Sequence, residues 1–276
     1  PMRVFNTLLY PSPGSILFWD IVVLQGYLFL NLVIGWNVLE AERNGTHYQA
    51  WVKPLIFLSI PWAVSIHTVT AFLYAGLPGR GFWMTAIMAP RFLSSAFAAG
   101  PALLSLLSLF IRRVTKFDPG REQIQSLAKI VAYAICINVF FFLCEVFTAF
   151  YSNIPEHMDH IKYLFAGLHG KGSLVPWMWT SYSLMIISII LLVNPITRKH
   201  EVVLAFACVT VFVGTWIDKG LGMISGGFVP NPMHHVTEYA PTLPEILITL
   251  GVYGIGALVL TILYKMSVAV KEEVAA

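Results

Sequence analysis

The sequence predicts an all-α integral membrane protein with about seven transmembrane helices. Of 276 residues, 57% are hydrophobic and only 11% are Asp, Glu, Lys or Arg, with a mean hydropathy of +0.74. Seven apolar stretches are long enough to cross the hydrocarbon core, which takes roughly 20 residues of helix. Backbone groups in lipid must be paired within the segment itself, so spans of this length are helices and not strands.

The spans read, in order, over 15–39, 51–77, 91–111, 124–150, 174–194, 201–218 and 243–266. The first carries Asp20, and the second carries Pro61 and His67. Pro101 interrupts the third, which follows Arg91. The fourth holds Cys136, Cys144 and Glu145, and the sixth holds Cys208 and ends at Asp218 and Lys219. Proline removes a backbone donor and kinks a helix, so Pro61, six residues before His67, is expected to open space near that imidazole. Segment 82–90 (FWMTAIMAP) is apolar but too short to cross, and reads as a re-entrant or interfacial helix. The spans and their loops use nearly the whole sequence, leaving no separate soluble domain. A net charge of +3 without a basic run implies no nucleic-acid partner. None of the three cysteines forms a CxxC pair, so they read as buried structural thiols. Pro1 and Met2 open no charged n-region, so no signal peptide is expected.

Lys and Arg are enriched on the cytoplasmic side of membrane proteins. Alternating the spans puts eleven of them on one side, with Arg112, Arg113, Lys116, Arg121, Arg198, Lys199 and Lys271 among them. Six, Arg3, Arg80, Arg91, Lys162, Lys171 and Lys219, fall on the other. This places the C-terminus in the cytoplasm. Asp20, Glu145, Asp218 and Lys219 then gather in the outer half of the membrane. His67 lies ten residues from Leu77, or ~15 Å at 1.5 Å per residue, near mid-depth. An ionisable group at that depth costs at least ~2.5 kcal/mol and usually marks a proton, ion or substrate path.

Two outer loops are long. Segment 151–173 carries His157 and His160, and segment 219–242 carries His234 and His235. A metal site among these four is conceivable, but exposed or interface histidines are the expectation. Only His67 is deep in a span, which disfavours an intramembrane haem, and Lys265 at the inner end of the last span does not fit a retinal lysine. No GxxxxGK[ST], GxGxxG or HExxH occurs. Proton-coupled chemistry or transport remains. Histidine titrates near neutrality and suits the acceptor of a quinol proton, while buried carboxylates suit an exit path. Trp19, Trp62, Tyr74 and Trp83 are placed to sandwich a quinone ring, although Trp83 and Trp177 read better as interfacial-belt residues.

Segments NTLLYPSPGSILFWD (6–20), PWAVSIHTVTAFLYAGLPGRGFWMTAIMAPRFLSSAFAAG (61–100) and IDKGLGMISGGFVPNPMHHVTEYAPTLPEILITLGVYGIGA (217–257) resemble the NrfD/PsrC family of quinone-interacting membrane subunits, nearest its DsrP-type members from sulfur-metabolising prokaryotes. The resemblance implies two stacked four-helix bundles, drawn here as 1–122 for part of the quinone-site bundle and 123–276 for the C-terminal bundle. It also implies ten helices, so about three N-terminal helices are expected to be missing from the seven seen here. It implies exchangeable menaquinone or menaquinol, no haem or metal in this chain, and location in the cytoplasmic membrane of a prokaryote. The implied partners are an extracytoplasmic ferredoxin-like iron–sulfur subunit and other membrane and cytochrome subunits.

On this reading His67 exchanges the quinol proton, Asp20 orients it, and Glu145 assists as a third catalytic group. Trp62, Tyr74 and Arg91 complete the quinone site, with Arg91 neutralising Asp20 or Glu145. Glu145, Asp218 and Lys219 form a proton pathway, the last two with a salt bridge as the structural alternative. The chain is not catalytic alone but serves as the quinone-reactive subunit of a menaquinol oxidoreductase complex. The rivals are a proton- or ion-translocating module without quinone chemistry, and a membrane anchor for an iron–sulfur partner.

Overall fold

Apolar runs of this length leave the backbone no choice but helix, and the computed structural model describes residues 6–7, 9–115 and 118–275 accordingly. The helices are α1 (Ile16–Arg43), α2 (Val52–Ala75), α3 (Met88–Val114), α4 (Arg121–Tyr151), α5 (Pro155–Phe165), α6 (Val175–Val193), α7 (Pro195–Lys199), α8 (Glu201–Ile217) and α9 (Leu243–Ala275). A 3₁₀ turn covers Gly81–Trp83, and a π-helix, Asp218–Ser225, prolongs α8. Seven helices are long and apolar enough to cross a membrane: α1, α2, α3, α4, α6, α8 with its π extension, and α9. They coincide with the seven expected spans. Of the residues counted in the charge bias, Arg3, Lys116 and the side chain of Lys271 lie outside the described residues.

Two local readings change. Segment 82–90 is no helix of its own: it contributes a 3₁₀ turn and then the start of α3. Pro90 sits in the first turn of α3, where a helix needs no backbone donor, so it opens the helix instead of breaking it. The sixth span runs on to Ser225 instead of stopping at 218. Asp218 looks like a terminator in sequence, but its charge is met inside the protein and the helix continues through it.

The chain divides into two units, residues 1–66 with 239–276, and residues 67–238. In the second, α3 packs on α4, α4 on α6, α6 on α8, and α8 back on α3, which closes a four-helix bundle. This bundle is assembled from helices within 88–225. Small residues decide this. Ser94, Ser95, Ala98, Ala102 and Ser105 form a buried stripe on α3 at helical spacing, which lets backbones approach closely where lipid supplies no hydrophobic drive. The hydroxyls of Ser95 and Ser105 are spent on their own helix, Ser95 donating to Phe92 O at 2.8 Å and Ser105 to Pro101 O at 2.8 Å. Gly214 does the same for α6 and α8. A Cβ there would stand 3.1 Å from both Met185 Cγ and Ser181 O, and Ser181 Oγ instead donates to Gly214 O at 2.7 Å. Ile135, Met185, Leu192, Leu204 and Val211 fill the centre. Cys208 is buried on α8, while Cys136 and Cys144 are half-buried on α4.

In the first unit α9 packs on α1. Trp62 of α2 donates its indole N–H to Val23 O of α1 at 2.9 Å, over the space left by Gly26. The apolar window of α9 buries none of its residues within the described structure, unlike the small-residue faces of the bundle.

Candidate functional site

Up-and-down packing brings the start of α3, the end of α4, the start of α6 and the end of α8 to one end of the bundle. Each supplies one polar side chain: Arg91, Glu145, Tyr182 and Asp218. At 1.5 Å per residue all lie within ~11 Å of that end along their helices. Arg91 is 3% exposed and Asp218 fully buried. One guanidinium nitrogen of Arg91 pairs with the Glu145 carboxylate. The other donates to Asp218 Oδ1 at 2.8 Å and to Tyr182 Oη at 3.3 Å. Tyr182 Oη in turn donates to Asp218 Oδ1 at 2.9 Å. Phe142 lies against the cluster, its ring 5.2 Å from the guanidinium carbon and 4.2 Å from the Tyr182 ring.

The charges explain why this cluster survives burial. An arginine stays protonated in proteins, so two carboxylates, Glu145 and Asp218, share one permanent cation. A buried ion needs a partner and further hydrogen bonds to offset its lost hydration. Among the described residues Asp218 Oδ2 and Arg91 Nε meet no hydrogen-bond partner. One turn deeper, Asn138 accepts from Ser94 Oγ at 3.4 Å and approaches Met185 Sδ at 3.7 Å.

Two clefts flank the cluster. One, of about 220 Å³, is lined by His67, Phe92, Ser95, Phe212, Thr215 and Lys219, with Trp216 beside them. The other, of about 380 Å³, is lined by Glu145, Thr148, Phe82, Met84, Ile154 and His157. Glu145 therefore touches both Arg91 and the second cleft, while the consecutive residues Asp218 and Lys219 serve the cluster and the first cleft.

Arg91, expected to neutralise Asp20 or Glu145, pairs with Glu145. Asp218 bonds to Arg91 and not to Lys219, whose ammonium instead lies 3.9 Å from Met223 Sδ and 4.9 Å from the centroid of the Phe92 ring. Asp20 is buried on α1 in the first unit, and Trp62 is bonded to α1 in the same unit. Tyr74 packs edge-on to Trp83 at 5.1 Å and stacks on Phe92 at 6.0 Å. Tyr74 does not line the His67 cleft. Trp83 is no belt residue: it is fully buried and donates its indole N–H to Met223 O at 2.7 Å, because the turn before α3 folds it inward under the π-helix. Trp177 is half-exposed.

Tyr182 and Asn138 were not legible in advance. A tyrosine near a span end looks like a belt residue until the opposite carboxylate is in place, and the one available signal was an asparagine inside the apolar run 124–150. The loop histidines separate. His160 is buried on α5 with Nδ1 3.1 Å from Gly226 O, and His234 Nδ1 lies 3.8 Å from Asp159. Among the described residues no group of three His, Cys, Asp or Glu is placed to hold a metal ion. Burial above all pushes the His160 imidazole below its ordinary value, with His157 and Arg80 adding to the shift and the backbone bonds at Gly226 and Val229 opposing it.

Residues 1–230 match the family described as polysulphide reductase, NrfD. The chain belongs to the NrfD family. It is a multi-pass membrane protein, and curated relatives align over nearly all of it. A Halobacterium salinarum protein, provisionally named as a membrane subunit of dimethyl sulfoxide reductase, is 25% identical, over 94% of this chain and 67% of its own length. A selenate reductase subunit of Mesobacillus selenatarsenatis is 24% identical, over 96% of this NrfD-family chain and 71% of its own. The Hdr-like menaquinol oxidoreductase integral membrane subunit of Archaeoglobus fulgidus is 22% identical, over 97% and 69%.

Proposed function

We propose that this NrfD-family chain is the quinone-reactive membrane subunit of a multi-subunit redox complex. It exchanges electrons between menaquinol or menaquinone and an extracytoplasmic iron–sulfur subunit. The observation that carries this reading is the His67 cleft, an apolar groove with a titratable imidazole on its wall, adjoining a buried charged cluster that reaches a second cleft. The names of the relatives, two of them reductase subunits and one a menaquinol oxidoreductase subunit, support membership of such a complex. The likeness to DsrP-type subunits supports a link to sulfur or sulfite metabolism, with cytochrome and further membrane subunits as partners. It also supports residence in the cytoplasmic membrane with the C-terminus inside.

The cleft suits a flat ring. Phe92 and Phe212 offer apolar faces, and His67 and Lys219 offer polar edges. A bound quinol supplies two electrons and two protons on oxidation. The electrons pass to the iron–sulfur partner, and His67 accepts the two protons in turn from the ring oxygens, passing on the first before it takes the second, a task for which imidazole is suited near neutral pH. Phe92, Phe212 and Trp216 keep water from the ring. Lys219, Asp218 and Glu145 carry the proton onward, with Arg91 holding both carboxylates in place and Glu145 releasing it into the second cleft beside His157. Asp20, on α1 of the first unit, keeps the role of an orienting carboxylate.

The buried cluster also favours a second reading, a proton-translocating module without quinone chemistry, because a mere anchor has no need of buried carboxylates. Quinone extraction and quinol titration on the purified complex, wild type against His67→Ala, decide between them. Quinone bound to the wild type, and quinol-linked turnover lost in an assembled His67→Ala complex, are the expected results. Wild-type turnover in that variant removes His67 from the mechanism, and a wild type that neither holds nor oxidises quinol leaves the translocation reading.

A further inference from the structure

The π-helix that ends the sixth span sends neighbouring residues to different surroundings. Asp218, its first residue, points into the bundle and bonds to Arg91 and Tyr182. Lys219 lines the cleft shared with His67. Wide π turns of this kind often occur at functional sites. Because Arg91 has taken Asp218, among the described residues no carboxylate lies within ion-pair distance of Lys219. Its ammonium has the Met223 thioether and the Phe92 ring beside it, which are weak company for a cation at membrane depth. The two hydroxyls in the cleft are already engaged: Ser95 donates to Phe92 O at 2.8 Å, and Thr215 donates to Val211 O at 2.8 Å. His67 and Lys219 are thus the polar groups that the cleft presents to a ligand.

We propose that Lys219 is the second polar contact of the ring site. His67 takes one oxygen of a quinone or quinol ring, the Lys219 ammonium donates to the other, and Phe92 and Phe212 cover the faces. The proposal rests on the quinone-reactive reading and adds to it a cation that favours the ring oxygen bearing negative charge. The same side chain then lies beside Asp218, at the entrance to the buried cluster.

The test measures binding of a fluorescent quinol analogue, heptyl-hydroxyquinoline N-oxide, to the intact membrane complex by saturable quenching. Thermal midpoints are recorded in parallel for wild type, Lys219→Met, Lys219→Arg and His67→Ala. The expected result is a dissociation constant raised roughly tenfold or more in Lys219→Met, as for loss of a charge-assisted hydrogen bond. The thermal midpoint should be unchanged, and affinity should be at least partly restored in Lys219→Arg. Wild-type affinity in Lys219→Met, with His67→Ala weakened, overturns the role of Lys219 and leaves the quinone site standing. Equal weakening in Lys219→Met and Lys219→Arg with a lowered midpoint makes Lys219 structural and also overturns it. Absence of saturable binding to the wild type overturns the quinone reading and this proposal with it.

Discussion

Arg91 and Asp218 stand 127 positions apart in sequence, and Arg91 Nη2 donates to Asp218 Oδ1 at 2.8 Å inside the four-helix bundle. The pair ties the first turn of α3 to the start of the π-helix that prolongs α8. It leaves the second guanidinium nitrogen for Glu145 on α4 and gives Tyr182 on α6 a shared acceptor. Four helices are thus cross-linked through one guanidinium.

Removing one member of that pair leaves a charge stranded out of water. Asp218→Ala is expected to lower the stability of the detergent-solubilised protein by ~3–5 kcal/mol, seen as a fall in the midpoint of chemical or thermal unfolding. Tyr182→Phe removes a neutral hydroxyl from the same cluster and is expected to cost about 1–2 kcal/mol. A double-mutant cycle between the two positions should show coupling, because they share one hydrogen bond. Additive effects would mean that the bond carries no energy.

Glu145→Gln retains size and hydrogen-bonding capacity but removes the titrating carboxylate between Arg91 and the second cleft. If Glu145 releases protons, quinol-linked turnover falls roughly tenfold or more while affinity for a quinol analogue stays at the wild-type value. Unchanged turnover would place proton release elsewhere.

At Gly214 the absence of a side chain sets the α6–α8 distance. Gly214→Val forces atoms into a space where even a Cβ stands 3.1 Å from its neighbours, and overpacking of this kind costs about 1–3 kcal/mol. Unfolding midpoints of the purified variant check this. A silent substitution would show that the two helices separate freely.

His160 predicts a pH dependence at α5. Its folded-state pKa lies below the ordinary value of 6.5, chiefly through burial, so the folded form binds a proton less readily than the unfolded one. Stability from this group is complete above about pH 6.5 and is lost as pH falls from there toward the depressed folded pKa. Protection of α5 from hydrogen exchange, corrected for the intrinsic exchange rate at each pH, should weaken as pH falls below about 6.5 in the wild type and lose that pH response in His160→Gln. An equal response in both would assign it to another group.

The seven spans, most of their limits, and the identity of the buried charges were open to sequence reasoning because lipid is an unforgiving solvent. Long apolar runs must be helices, and a charge among them stands out. The pairing of Arg91 with Glu145 was also within reach. Which helices form the bundle was not, because small-residue stripes such as Ser94–Ala98–Ala102–Ser105 reveal their partner only when a facing backbone comes close enough to use them. Trp83 and Tyr182 carry the same lesson. Each has the amphipathic character of an interfacial residue, and only a carbonyl of Met223 or a carboxylate of Asp218 brought from more than thirty positions away turns it inward. The sequence by itself thus determined that this is a helical membrane protein with charges in the membrane. The tertiary structure decided which charges meet, that Lys219 faces His67 across a cleft while its neighbour Asp218 faces Arg91, because side-chain partners in a bundle are set by helix packing and not by order along the chain.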